Sequence, residues 1–204
     1  MLGTSILAIG AHPDDIELGC GGTLAKLALA GAKIHAVIFS KGRRGALSDQ
    51  DRATETRAAL EILRIQKITI YDFEDTQLSS FLTQMVEILD RHVAADRPRR
   101  AYTMFQHDRH QDHRAVYEAS AIACREVPQL LGYETPSSYP NFVPTMFEDI
   151  TEFLKIKLNS LSCHNSQGQR LYMQRDKIRS AAHFRGAQID LGPSEGFIPY
   201  KFVF

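Results

Sequence analysis

The sequence predicts an α/β fold built on a mainly parallel sheet. Four strand-like runs, Ile6–Ile9, Ile34–Phe39, Lys67–Phe73 and Arg100–Phe105, recur at regular spacing. A stretch with apolar residues at helical spacing follows each run, which is the pattern of βαβ units with right-handed crossovers. The residue types able to do chemistry gather just after the first and fourth runs, at the strand tips where such folds keep their sites. At 204 residues the chain suits one domain, 1–204, with ample core.

The first run ends in Gly10-Ala11-His12-Pro13-Asp14-Asp15. Pro13 fits the first helical position, where its missing N–H is no loss, so His12 falls at the cap. His12 and Asp15 are three apart and converge on one side of the first turn, whereas Asp14 points elsewhere. Two ligands plus a separate carboxylate compete here with a plain helix start whose acids complement the macrodipole. The helix from Asp15 to Ala30 carries Ile16, Leu18, Leu24 and Leu27 and stops at Gly31. Gly19, Gly21 and Gly22 interrupt it at a cost of roughly 1 kcal/mol each, which close approach to the sheet or to a ligand must offset. The spacing is not that of a dinucleotide-binding loop.

The second strand leads into Ser40-Lys41-Gly42-Arg43-Arg44-Gly45, a basic loop at the same sheet end as His12, suited to an anionic substrate or simply solvated. Gln50 to Leu63 reads as a helix with Arg52 and Glu55 near its start. Gln77 to Ala94 is the next helix, and Pro98 follows it. The fourth strand exits into Gln106-His107-Asp108-Arg109-His110-Gln111-Asp112-His113, with a helix from Arg114 to Glu126. From Val127 to Met146, Pro128, Pro136, Pro140 and Pro144 break the rhythm and leave room only for short strands or loops. Asp149 and Glu152 have capping-box spacing before a helix with Phe153, Ile156, Leu158 and Leu161. An amphipathic run from Gln169 to Phe184 and an extended stretch from Phe197 to Phe204 complete a less regular C-terminal extension.

Lysine plus arginine equals aspartate plus glutamate at 24 each, which speaks against a nucleic-acid partner or an anionic membrane. Three scattered cysteines without CxxC spacing argue against a disulfide framework and a cysteine-based zinc knuckle. No stretch approaches the length of a membrane span, and the N-terminus has no basic leader, so a reducing cytoplasm is the expected compartment.

His12, Asp15 and one or more of His107, His110 and His113 make a site of two histidines and one carboxylate. Such a set leaves a coordination position open for water, lowers that water's pKa towards about 7 and polarises a carbonyl. Spacing alone does not choose among the three histidines. Asp112 can orient a ring through its second N–H or serve as a helix cap.

Ala11-His12-Pro13-Asp14-Asp15, the three glycines, Lys41-Gly42, Arg52 with Glu55, His110-Gln111-Asp112-His113 and His164-Asn165-Ser166-Gln167 resemble the LmbE-like, or PIG-L, zinc-dependent N-deacetylases. The resemblance implies a Rossmann-like three-layer α/β sandwich and removal of an acyl group, usually acetyl, from N-acetylglucosamine-type amino sugars and conjugates. It implies His12, Asp15 and His113 as metal ligands, for Zn2+ or for Fe2+, which suits the same set. Asp14 would be the general base, and His110 would stabilise the oxyanion or protonate the leaving amine, with Asp112 as its partner. A homo-oligomer is implied as well. Arg52 is expected to bind a substrate hydroxyl or the departing acetate, or else to form an ion pair with Glu55 or another neighbour. His164 is expected to cap or pack a helix end. Ile16 stands where the family often has glutamate, and Ser194-Glu195-Gly196-Phe197 stands for a common Ala-Glu-Ala-Phe segment; both bear on substrate preference.

Two other readings compete. One is an amidase acting on a different acylated amine, such as a thiol-sugar conjugate or an antibiotic intermediate. The other is a catalytically silent sugar- or nucleotide-binding domain, for which a base, three ligands and an acid would serve no purpose.

Overall fold

In the computed structural model, which describes residues 3–45 and 52–204, the four expected strands form where the apolar runs lie. They are β1 (Ser5–Gly10), β2 (Lys33–Ile38), β3 (Lys67–Ile70) and β4 (Arg100–Met104). Ile6, Leu7, Ala8 and Ile9 are all buried, because helices cover both faces of the sheet. β1 sits between β2 and β4, all three parallel, so the tips of β1 and β4 are neighbours. This adjacency brings His12 beside the histidine cluster that follows β4.

The crossover helices are α1 (Asp15–Leu29), α2 (Arg52–Ile62), α3 (Leu82–Asp96) and α4 (Gln111–Ala123). The start expected for α2 at Gln50 lies outside the described residues. The last third does more than extend the domain. It adds β5 (Gln129–Tyr133), parallel to β4, then β6 (Met146–Asp149), α5 (Leu154–Leu161), α6 (Arg175–Ala187) and β7 (Ser194–Phe202). β7 inserts antiparallel between β5 and β6, giving the seven-stranded order β3-β2-β1-β4-β5-β7-β6. Helices α5 and α6 build a second apolar cluster with Ile150 and Met173.

Helix starts differ from expectation for local reasons. Pro13 lies in a turn, not at the first helical position: α1 begins at Asp15, because Asp14 adopts the left-handed conformation with φ 92°. The stretch from Gln77 begins as a 3₁₀ turn, Leu78–Phe81. The capping box at Asp149 is not formed, for its Oδ1 accepts from the Thr151 N–H and hydroxyl, and α5 starts five residues later.

The glycines of α1 answer two different needs. A Cβ on Gly19 would lie 2.0 Å from the Tyr133 ring, and one on Gly22 would lie 2.8 Å from Ile150, so both allow close packing. Between them Cys20 leaves helical geometry, at φ −142°. The N–H groups of Gly22 and Thr23 donate to the two carboxylate oxygens of Glu195 at 2.9 and 2.7 Å. Glu195 is therefore a cap inside α1, its charge balanced by buried Lys157 at 2.5 Å. None of the described helices is long and apolar enough to cross a membrane.

Candidate active site

A cleft of about 430 Å³ opens over the tips of β1 and β4, lined among others by His12, Asp14, Asp15, His110 and His113. Its floor is the turn 12–15. Asp15 Oδ2 accepts the N–H groups of Ala11 and His12 at 3.1 and 2.7 Å, tying the carboxylate back under the strand tip. Asp15 Oδ2 lies 3.6 Å from His12 Nδ1, and Oδ1 lies 3.3 Å from His113 Nε2. Tetrahedral zinc ligands at about 2.0–2.1 Å from the ion stand roughly 3.3 Å from each other. The two distances from Asp15 to the imidazoles are close to that spacing.

The other nitrogen of each imidazole is held by carboxylates. His12 Nε2 meets Asp112 Oδ2 at 3.0 Å and Asp75 Oδ1 at 3.1 Å. His113 Nδ1 meets Asp108 Oδ2 at 3.1 Å and the Ser137 hydroxyl at 3.2 Å. Metal-binding histidines are commonly braced in this way, which fixes the tautomer and aims the free nitrogen. Asp14, Asp15, Asp75, Asp108 and Asp112 are all buried around this one cleft. Carboxylates packed against imidazoles in this way suit a divalent cation, and the guanidiniums of Arg44, Arg52, Arg109 and Arg170 share the cleft lining with them.

The electrostatics agree. Burial opposes a charge on His12, yet Asp112, Asp15 and Asp75 raise its pKa well above the usual value. Burial opposes His113 likewise, and Asp15 with Asp108 raise it to about 9. Asp15 resists burial through both imidazoles and sits well below the usual carboxylate range. Asp14 goes the other way: burial, and then the charge of Asp15, push it up to about 7.

The residues expected to act fall into place unevenly. Asp14, with its left-handed backbone, lines the cleft beside the ligand set. His110 caps α4, its Nδ1 accepting the Asp112 N–H at 3.2 Å, so in the neutral ring Nε2 carries the proton. Its pKa is lowered by burial and by the neighbouring His12 and His113. Asp112 is not the expected carboxylate partner of His110. Its carboxylate hydrogen-bonds His12, accepts the N–H groups of Thr76 and Leu78 and reaches His110 through its charge, while its main-chain N–H donates to the ring. Arg52 does not pair with Glu55, which binds Ser166. Its guanidinium donates to Gly42 O at 2.8 Å, to Pro13 O at 2.9 Å and to Asp14 Oδ2 at 3.4 Å, bracing the turn 12–15. His107 lies outside the cleft lining, its ring against Phe105 and Gln106. His164 is buried with Nε2 on Glu17 at 2.9 Å.

Asp75 and Asp108 escaped the sequence reading. Asp108 stands inside the histidine cluster and Asp75 follows the third parallel strand, so both had a positional signal. The basic loop reaches the cleft only through Arg44 and Gly45, while Lys41 and Arg43 pair with Asp72, and Arg44 with Glu74.

Residues 7–124 match the family model described as PIG-L: GlcNAc-PI de-N-acetylase, and every residue from His12 to His113 named above lies within that span. The chain belongs to the PIG-L family. PIG-L members are metal-dependent deacetylases, and this chain has a His/Asp cluster, His12 with His110 and His113 or with Asp75, His110 and Asp112, that could hold a metal ion. A relative in Escherichia coli K12, "uncharacterized deacetylase YaiS", is 47% identical over 167 residues, covering 79% of this chain and 90% of its own. The diacetylchitobiose deacetylase of Thermococcus kodakarensis is 27% identical over 186 residues, covering 79% of this chain and 69% of that protein. In fold, the conserved protein TT1542 from Thermus thermophilus superposes with a TM-score of 0.85 at 24% identity, over 100% of this chain and 97% of its own.

Proposed function

We propose that this protein is a zinc-type metal-dependent hydrolase that removes an N-acetyl group from an amino sugar or glycoconjugate of the N-acetylglucosamine kind. The observation that carries this reading is the convergence of His12 Nδ1, Asp15 and His113 Nε2 with Asp14 and His110 on one cleft. A pure binding module has no use for that set. The family description and the name of the Thermococcus relative point to N-acetylated sugars, and the name of the Escherichia coli relative to deacetylation.

His12, Asp15 and His113 would hold the ion. When bound, it supplies Lewis acidity, acidifying a water and polarising the acyl carbonyl. Asp14 accepts the water's proton at its carboxylate, which Arg52 and the left-handed turn hold in place. His110 Nε2–H donates to the oxygen that gains charge as the carbonyl becomes tetrahedral, because its Nδ1 is already engaged. The C–N bond then breaks, and the amine leaves with the proton that Asp14 took. Arg52 and Arg170 line the cleft where substrate hydroxyls or the released acetate would lie.

The test is acetate release from N-acetylglucosamine and N,N'-diacetylchitobiose by the metal-loaded protein. Turnover should vanish on chelation and return with zinc or ferrous iron. Unchanged turnover in the chelated protein would sink the reading. Cleavage of other N-acyl amines but of neither sugar would move the substrate class to the amidase alternative.

A further inference from the structure

At the opposite pole of the sheet, the chain segments entering β1, β2, β3 and β4 surround a second cavity of about 960 Å³. Five cations line it: Lys33, Arg64, Lys67, Arg97 and Arg99. Its one carboxylate, Asp96, is taken by Lys67 and by His35 Nδ1. In a chain whose charges balance overall, this leaves a net charge of about +4 in one place. We propose that this cavity binds a phosphate-bearing polyanion, at a site separate from the metal cleft and independent of the deacetylase reading.

The charge exceeds what the fold itself requires. The C-termini of α1, α2 and α3 meet at this pole, and each presents roughly −0.5 of an elementary charge, together about −1.5. More than half of the positive surplus therefore has no counterpart in the helix ends. Arg64 and Arg97 also hold left-handed backbones, with φ 65° and 45°. Such a conformation costs an arginine roughly 1–2 kcal/mol and suits glycine or asparagine better. The geometry keeps a guanidinium at two positions where a smaller residue would be easier.

His35, His92 and Asp96 bring ligand-type atoms together here, but the surrounding cations disfavour a metal ion. Burial is the main reason that His35 and His92 are hard to protonate, and Lys67 adds to it in both. Guanidinium groups match phosphate oxygens in planar, paired hydrogen bonds. The volume lies within the range of roughly 300–1,000 Å³ typical of small-ligand sites. A free oligophosphate and a phospholipid headgroup offer the same chemistry.

The experiment takes the metal-loaded protein with two probes, inorganic tripolyphosphate by calorimetry and vesicles of phosphatidylglycerol in phosphatidylcholine by co-sedimentation, at about 0.1 M salt. Arg64→Asn with Arg97→Asn removes two charges while suiting the backbone, and circular dichroism checks its fold. Lys33→Glu, at an exposed strand start, is the second variant. The wild type is expected to bind at least one probe, with a loss of about tenfold or more in the double variant and in Lys33→Glu. Tripolyphosphate binding without vesicle binding assigns a free phosphorylated ligand, and binding to the anionic vesicles alone assigns a headgroup. Absence of binding to both probes, or equal binding in folded variants, overturns the site; the latter outcome would place the anion elsewhere, the metal cleft included.

Discussion

Asp14 and Asp15 are adjacent in sequence and opposite in environment. Two main-chain N–H groups and two imidazoles hold Asp15 ionised, whereas Asp14 is buried with Arg52, among the described residues, as its one charged hydrogen-bond partner. Hence Asp14→Asn is expected to lower kcat by about 10²–10⁴-fold, in line with loss of a general base, while metal content stays near that of the wild type. Parallel acetate release and metal analysis would show it; metal lost together with activity would mean that Asp14 is a ligand instead. Asp108 acts one shell further out. Asp108→Asn should weaken metal affinity by about 10–100-fold through loss of orientation at His113, read by competition with a chromogenic chelator. An unchanged affinity would show that Ser137 alone suffices to aim the ring.

At the scale of the element, α1 is a helix in two halves. Its second half starts on the carboxylate of Glu195, which arrives from β7 some 170 residues later. Glu195→Gln leaves Lys157, 4% exposed, without its buried counter-charge. The expected loss is about 3–5 kcal/mol in urea unfolding, with full activity retained by whatever fraction is folded. Gly19→Ala tests the packing of the first half. A methyl placed against the Tyr133 ring should cost roughly 1–3 kcal/mol and be relieved in part by Tyr133→Leu. Losses that simply add in the paired variant would refute that contact. Serial patterning showed that glycines here needed a reason, but the reason is a tyrosine on β5 and an isoleucine before α5, which no window of neighbouring residues contains.

For the whole molecule, charge is shared differently at the two poles of the sheet. At the strand tips Asp14, Asp15 and Asp75 line the cleft together with Arg44, Arg52, Arg109 and Arg170, whereas at the strand entries Lys33, Arg64, Lys67, Arg97 and Arg99 face Asp96 alone, so the zero net charge conceals an uneven distribution. The folded state lowers the pKa of His35 and of His92 below 6.5, chiefly by burial. Below pH 6.5 the unfolded chain takes up protons that these folded imidazoles refuse, so their contribution is intact above that pH and is lost as the pH falls further. Replacing His92 with glutamine should remove part of this loss. The stability difference between variant and wild type should therefore grow in the variant's favour from pH 7.5 to 5.5, and parallel denaturation curves would exclude the effect.

What the amino-acid order determined by itself was local. The four apolar runs with intervening helical stripes specify parallel βαβ units, because strand and helix periods are written in neighbouring residues. His12, Asp14, Asp15, His110 and His113 were legible for the same reason, each group lying between a strand and the first turn of the helix that follows it. The tertiary structure alone decided which tips adjoin, and so brought Asp75, Asp108 and Asp112 onto the two imidazoles. It also decided that Arg52 braces a turn instead of pairing with Glu55, and that the proline-broken last third supplies β5, β6 and β7 to the sheet. Apart from the local contact of Asp108 with His113, these outcomes depend on contacts between residues from about ten to more than a hundred positions apart. Such contacts follow from packing the elements against one another, and a linear pattern carries no record of them.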